Sequence, residues 1–261
     1  MVFLQTWFYA FLIVMVFLSL LWIYSVVIKN ASIIDPFWGT GFVMIALFSL
    51  YYTGNPSPRA LLVTALVAIW GLRLSIYLYF RNRGQGEDPR YRKFRKNFGE
   101  NRYWWFSFFQ VFLLQGVIMA IVALPLLGVI VANDPTPLNW LDAVFAFIWL
   151  IGFIFEAGGD FQLAQFKKNP DNKGKVMNRG FWHYTRHPNY FGNSVIWWAL
   201  GFFGAVYGNV FVLIGPALMT YLLIKVSGVG MLEKMLRNTK PKYVDYINHT
   251  SSFIPWFPKK P

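Results

Sequence analysis

The sequence predicts an all-α fold: a polytopic integral membrane bundle of seven transmembrane helices, with the amino terminus outside and the carboxyl terminus cytoplasmic. Three observations carry that expectation. The 261 residues are 56% hydrophobic and only 13% charged, so the chain lacks the polar groups needed to cover a water-facing surface. Apolar stretches close to the ~20 residues that a span requires recur along it. Of 24 Lys and Arg, 20 fall in one alternating set of loops.

The first stretch, about Phe3 to Ile28, holds no charge and follows no basic residue, so it reads as a retained helix and not as a signal peptide. The second covers about Phe37 to Tyr52 and the third Ala60 to Phe80, with Arg73 inside it. About Phe106 to Val131 makes a long, clean fourth span. The fifth, about Leu138 to Phe155, carries Asp142 and leads into Glu156; the last two occupy about Tyr190 to Tyr207 and Val210 to Gly230. Lipid tolerates no unsatisfied backbone, so these stretches form helices. They make one membrane domain, with residues 1–105 holding three spans and a basic loop and residues 106–261 the other four.

Charge supplies the orientation. Arg81 to Tyr103 holds eight Lys or Arg, Lys167 to Arg186 six, and the tail after Gly230 six, whereas the opposite loop set carries only Arg59. By the positive-inside rule the basic set is cytoplasmic. Orientation thus accounts for the net charge of +13 without nucleic acid, for which no reading motif is present. The absence of cysteine removes disulfides, thiolate catalysis and Cys-based metal centres. His183 and His187 are spaced i,i+4 but lack a suitably spaced carboxylate, so no metal is expected.

The segment Asp160 to Asn193 combines six basic residues, five Asn, three Gly and a run of aromatics. Lys167, Lys168, Lys173, Lys175, Arg179 and Arg186 suit phosphates; Gly174 and Gly180 let backbone amides approach closely; Trp182, Tyr184 and Tyr190 can stack on a planar ring. That composition fits an anionic, ring-containing ligand, and fits a lipid-headgroup patch equally. No GxGxxG follows a strand, so a dinucleotide would be held by loops and helix ends. NADPH, with about four negative charges, suits basic loops better than S-adenosylmethionine, a sulfonium without phosphate.

The string Tyr-Thr-Arg-His-Pro-Asn-Tyr-Phe-Gly at 184–192, with Asn-Lys-Gly-Lys at 172–175, resembles the carboxyl-terminal half of the steroid 5-alpha-reductase superfamily, in particular its bacterial membrane branch. Asp-Pro-Phe-Trp-Gly at 35–39, Trp-Gly-Leu-Arg at 70–73, the Arg81 to Tyr91 run and Ser-Phe-Ile-Pro at 252–255 extend the resemblance over nearly the whole chain. It implies a seven-helix reductase, in a bacterial inner membrane, that uses NADPH to saturate a carbon–carbon double bond conjugated to a ketone in a lipid-soluble steroid or other enone. The cofactor site it implies takes in Arg83, Asp160, Lys167, Lys173, Lys175, Arg179, Trp182, Tyr184, Arg186, His187, Asn189 and Asn193. Asn193 stands where the mammalian steroid enzymes carry Glu; Asp35 is the nearest counterpart of their acid near the second helix, and Trp70 lies closest to their third-helix tyrosine.

Asp35 is the first candidate for the hydrogen-bond donor to the enone oxygen, with Tyr184 and Tyr190 next; a helix cap is the competing role for Asp35. Arg73, costly in lipid, is expected to face the bundle interior. Two other classes remain open: a methyltransferase of the isoprenylcysteine type, which shares an Arg-His-Pro loop, and a non-enzymatic protein whose loops meet only membrane lipids.

Overall fold

The computed structural model describes all residues except 55–56, 133, 227–228, 231–232, 234–235, 237–239, 241–242 and 260–261. The described residues form helices joined by turns and loops, with no strand beyond a single bridge between Thr185 and Ser251. Among the described residues, five helices are long and apolar enough to cross a membrane: Val2–Val27, Ala31–Thr53, Pro58–Asn82, Tyr103–Val122 and Trp140–Lys168. The expected sixth stretch is the helix Pro188–Tyr207, and the seventh corresponds to the shorter apolar helix Val210–Val226, beyond which residues 227–228 lie outside the described set. The basic residues Lys234, Arg237, Lys242 and Lys260 of the tail lie outside it too. The chain forms two compact units, Met1–Leu138 with Phe203–Val212 and Asn139–Phe202 with Leu213–Pro261.

In the first unit α1 (Val2–Val27) is ~39 Å long at ~1.5 Å per residue, ample for a bilayer core of ~30 Å. Thr6, Ala10, Val14, Leu18 and Ser25 form its buried stripe, while Leu4, Phe8, Leu12, Val16, Leu20, Ile23 and Val27 are exposed, as on a helix facing lipid. The helix closes with Lys29 N donating to Val26 O and Asn30 N to Ser25 O, the paired bonds of a Schellman motif. Lys29 has φ 53, a left-handed conformation that favours glycine. A 3₁₀ turn, Ala31–Phe37, capped by the Asn30 side chain, leads into α2 (Trp38–Thr53).

α2 packs on α3 (Pro58–Asn82) through two glycines of the resembling motifs. A Cβ on Gly39 would lie 2.2 Å from Gly71 O, and one on Gly71 would lie 2.6 Å from Gly39 O. Only hydrogen fits there, which lets the backbones touch as membrane helices often do. Trp70 is fully buried beside Phe42, their ring centroids 5.7 Å apart, and so belongs to the core. Arg73 is half-buried, with its guanidinium 5.6 Å from the Tyr77 ring centroid. Arg59, at the start of α3, is 1% exposed and donates to Asp134, Thr136 and Pro137, tying down the loop that the sequence leaves nearly uncharged.

The polar segment after α3 contains α4 (Pro89–Phe98), started by Asp88 accepting from Arg90 N and by Pro89 at its first position. The expected single span from Phe106 to Val131 is broken. α5 (Tyr103–Ser107) passes through a π-helical turn, Phe108–Leu113, into α6 (Leu114–Val122), and after Ala123 a separate α7 (Leu124–Ala132) begins. Pro125 has no N–H for the preceding turn and its ring crowds it, which explains the break.

In the second unit α8 (Trp140–Lys168) opens with a capping box of Asn139 and Asp142 and ends on Lys167 and Lys168, which suit the helix dipole. It runs beyond the expected end near Phe155, so Asp160 to Lys168 are helical and not loop; the segment is rich in good helix formers such as Gln, Leu, Ala and Lys. Asp142, Phe145, Trp149, Gly152, Glu156, Gly159 and Asp160 make one buried face. α9 (Phe181–Tyr184), α10 (Pro188–Tyr207), α11 (Ile214–Tyr221) and α12 (Tyr243–His249) follow. Gly192 of α10 would place a Cβ 2.4 Å from Gly152 O, so α8 and α10 meet backbone to backbone.

Candidate functional site

The segment 172–183 and the carboxyl-terminal region line a cleft of about 1140 Å³ in the second unit. Lys173, Lys175, Arg179 and Lys259 line it with His183 and His249, against the single carboxylate of Asp245. Gly174 (φ 80) lets the chain turn between the two lysines. The cleft therefore concentrates positive charge on one wall system, a setting for a polyanion.

Beneath it lies a buried ionic cluster. Arg186, 7% exposed, donates through Nε to Glu233 Oε1 at 2.8 Å and through Nη1 to the Ile247 and Thr250 carbonyls. His187 Nε2 stands 3.4 Å from the same carboxylate oxygen, and its ring lies parallel to that of Tyr190, centroids 5.4 Å apart. Burial alone would raise the Glu233 carboxyl; hydrogen bonds from His187 and Arg186 outweigh it and hold the group below its ordinary value. Tyr246, whose hydroxyl donates to the Trp182 carbonyl, is pushed up by burial. Tyr246 and Thr250 also line the cleft, so this cluster shapes its wall.

The sequence-predicted residues divide among several places. Lys173, Lys175 and Arg179 come together in the cleft. Arg186 and His187 serve the cluster below it. Trp182 is buried, its indole donating to Gly159 O at 3.0 Å, so the ring is tied to α8 and does not line the cleft. Lys167 is exposed at the end of α8. Tyr184 is 42% exposed and meets Phe257, while Tyr190 is half-buried against His187. Along the α8 and α10 faces, Asn189 Nδ2 donates to Asp160 Oδ1 and Asn193 Nδ2 to Glu156 Oε2, each at 3.1 Å. The other atom of that amide, Asn193 Oδ1, is buried without a hydrogen-bond partner among the described residues.

Asp35 and Arg83 belong to the first unit. Arg83 is exposed at the end of α3. The Asp35 side chain does not cap α2, whose first turn has no side-chain cap. Its Oδ1 accepts from Tyr91 Oη at 2.7 Å and its Oδ2 from Arg90 Nη2 at 3.0 Å, and Gln115 Nε2 donates to Tyr91 Oη at 3.3 Å. The Tyr91 hydroxyl is raised well above its ordinary value by burial and then by the Asp35 charge. Burial would lower Arg90, but its bond to Asp88 and the charge of Asp35 prevail and raise it.

Sequence reasoning missed Tyr91, Arg90, Gln115, Glu233 and Tyr246 as site residues. Tyr91 and Arg90 close the Arg81 to Tyr91 run that carries part of the resemblance, and so had a signal; Glu233 and Gln115 are isolated in sequence and had none.

A protein of Schizosaccharomyces pombe, described as uncharacterized protein C594.04c, is 26% identical over 265 residues, a match covering 91% of this chain and 76% of the yeast protein. No solved structure matches the chain. The family described as protein of unknown function (DUF1295) matches residues 21–250, most of both units, and the chain belongs to that family.

Proposed function

We propose that the protein is an NADPH-dependent membrane reductase that saturates the carbon–carbon double bond of an apolar enone, a 3-oxo-Δ4 steroid or similar lipid. The proposal includes seven spans with the basic loops cytoplasmic, in a bacterial-type inner membrane, as the charge distribution and the sequence resemblance suggest.

The cleft carries the reading. Among the described residues, four formal cations, Lys173, Lys175, Arg179 and Lys259, against one carboxylate match the charge of a phosphorylated dinucleotide and oppose a sulfonium. NADPH, when bound, supplies the hydride. Lys173, Lys175 and Arg179 would hold its phosphates, and the Arg186–Glu233–His187 cluster fixes the carboxyl-terminal wall against which it would sit. Asp35 with Tyr91 is the group assigned to the substrate carbonyl. The Tyr91 hydroxyl, whose one proton goes to Asp35 Oδ1, would turn to the carbonyl oxygen when substrate binds, with Arg90 left to hold the carboxylate.

Isothermal titration of the purified protein in neutral detergent tests the cofactor. NADPH is expected to bind more tightly than NADH or S-adenosylmethionine, and Lys173→Glu or Arg179→Glu to weaken it about tenfold or more each. Tighter binding of S-adenosylmethionine, with methyl transfer to a lipid, would establish the methyltransferase reading instead.

A further inference from the structure

The end of the first unit, where α1 closes and α5 begins, holds a second cavity, of about 730 Å³, that the proposed reaction does not use. Lys29 and the α4 residues Arg92, Arg95 and Lys96 line it, beside Glu87 and Glu100. Arg95 is committed to the fold: it grips the Glu87 carboxylate at 2.8 and 3.2 Å, donates to Lys29 O and lies 4.7 Å from the Tyr103 ring centroid. Lys29, Arg92 and Lys96 make no ion pair among the described residues. The cavity therefore carries unneutralised positive charge around Glu100 alone.

Two further observations say what that charge meets. Lys29 is the one non-glycine residue with positive φ among the described residues, and it stands where a Schellman closure favours glycine. The chain thus accepts a lysine on this wall where the backbone favours glycine, and strained residues of this kind gather at functional sites. The rim is interfacial in character. Trp104, 53% exposed, lines the cavity and is tied to α1 by Trp22 Nε1 donating to its carbonyl at 2.8 Å, while Tyr24 and Val27 are exposed on the last turns of that lipid-facing helix. Aromatic residues beside cations at the end of a span mark the headgroup level of a bilayer.

We propose that this cavity binds the headgroup phosphate of an anionic phospholipid, with Lys29, Arg92 and Lys96 on the phosphate and the acyl chains along the exposed face of α1. A soluble phosphate ester would offer the same anion without the chains, so the test separates the two sources. The full-length protein in neutral detergent is titrated, by native mass spectrometry, with dioctanoyl phosphatidylglycerol, dioctanoyl phosphatidylcholine, glycerol 3-phosphate and NADPH. The expected result is one phosphatidylglycerol per chain, at least about tenfold tighter than phosphatidylcholine or glycerol 3-phosphate. Lys29→Gly is expected to weaken phosphatidylglycerol about tenfold while leaving thermal stability equal or higher, because glycine relieves the strain; a merely structural Lys29 predicts unchanged lipid affinity. Arg92→Gln should weaken it similarly while NADPH affinity is unchanged, which keeps this site distinct from the cofactor cleft. Equal binding of the two lipids, unaltered phosphatidylglycerol affinity in both variants, or displacement of the lipid by NADPH or glycerol 3-phosphate at equal concentration would each overturn the assignment.

Discussion

Glu233 is the residue whose removal discriminates most sharply among roles for the buried cluster. Its Oε1 accepts the Arg186 Nε at 2.8 Å with the two side chains 11% and 7% exposed, so the pair is desolvated. Taking one partner from a buried pair costs ~3–5 kcal/mol when the other charge is left without compensation. Arg186 retains the Ile247 and Thr250 carbonyls, and in Glu233→Gln an amide oxygen still accepts, so we expect a loss of about 2 kcal/mol. For a chain of this size that is a fall of roughly 4–8 °C in Tm. The 12 tryptophans provide an intrinsic fluorescence melt without added dye. The pH dependence fixes the sign. A carboxyl held below its ordinary value of 4.5 stabilises fully above that value and loses the contribution as pH falls through the lower folded value. Wild type should therefore exceed Glu233→Gln at pH 7 and converge on it only below about pH 4.5. A variant that melts with wild type at pH 7, or a margin undiminished at pH 3, would refute the reasoning.

Gly71→Ala should lower stability by about 1–3 kcal/mol, because its Cβ meets Gly39 O at 2.6 Å and backbone cannot yield as a side chain can, whereas Leu72→Ala, on an exposed face, should melt near wild type. Asp35→Asn and Tyr91→Phe should each cut NADPH oxidation with a 3-keto-4-ene steroid about a hundredfold with NADPH affinity intact. Normal turnover in both would remove the pair from the chemistry and return the search to Tyr184 and Tyr190.

Much of the fold was legible because lipid simplifies the problem: a backbone that cannot bond to solvent must become helix wherever apolar residues run long enough. α1, α3 and α8 were read at the right places for that reason. Their ends were read less well. The composition shift near Phe155 marks where α8 leaves its apolar stretch, and a helix does not stop where polarity begins, so it continued to Lys168. Within the fourth stretch hydropathy is blind to the missing N–H of Pro125, which divides α6 from α7.

The sequence by itself determined a polytopic helical chain, its one-sided distribution of basic residues, and the basic segment from which Lys173, Lys175 and Arg179 enter the cleft. These are properties of composition and local order, which one strand of residues carries whole. Only the tertiary structure decided that Trp182 is tied to α8, that Arg186 spends its guanidinium on Glu233 some forty-seven positions away, and that Asp35 meets Tyr91 and Arg90 and caps nothing. The physical reason is that a charged or hydrogen-bonding side chain takes its role from whichever partner burial brings within ~3 Å, and sequence spacing does not encode that partner when it lies on another helix.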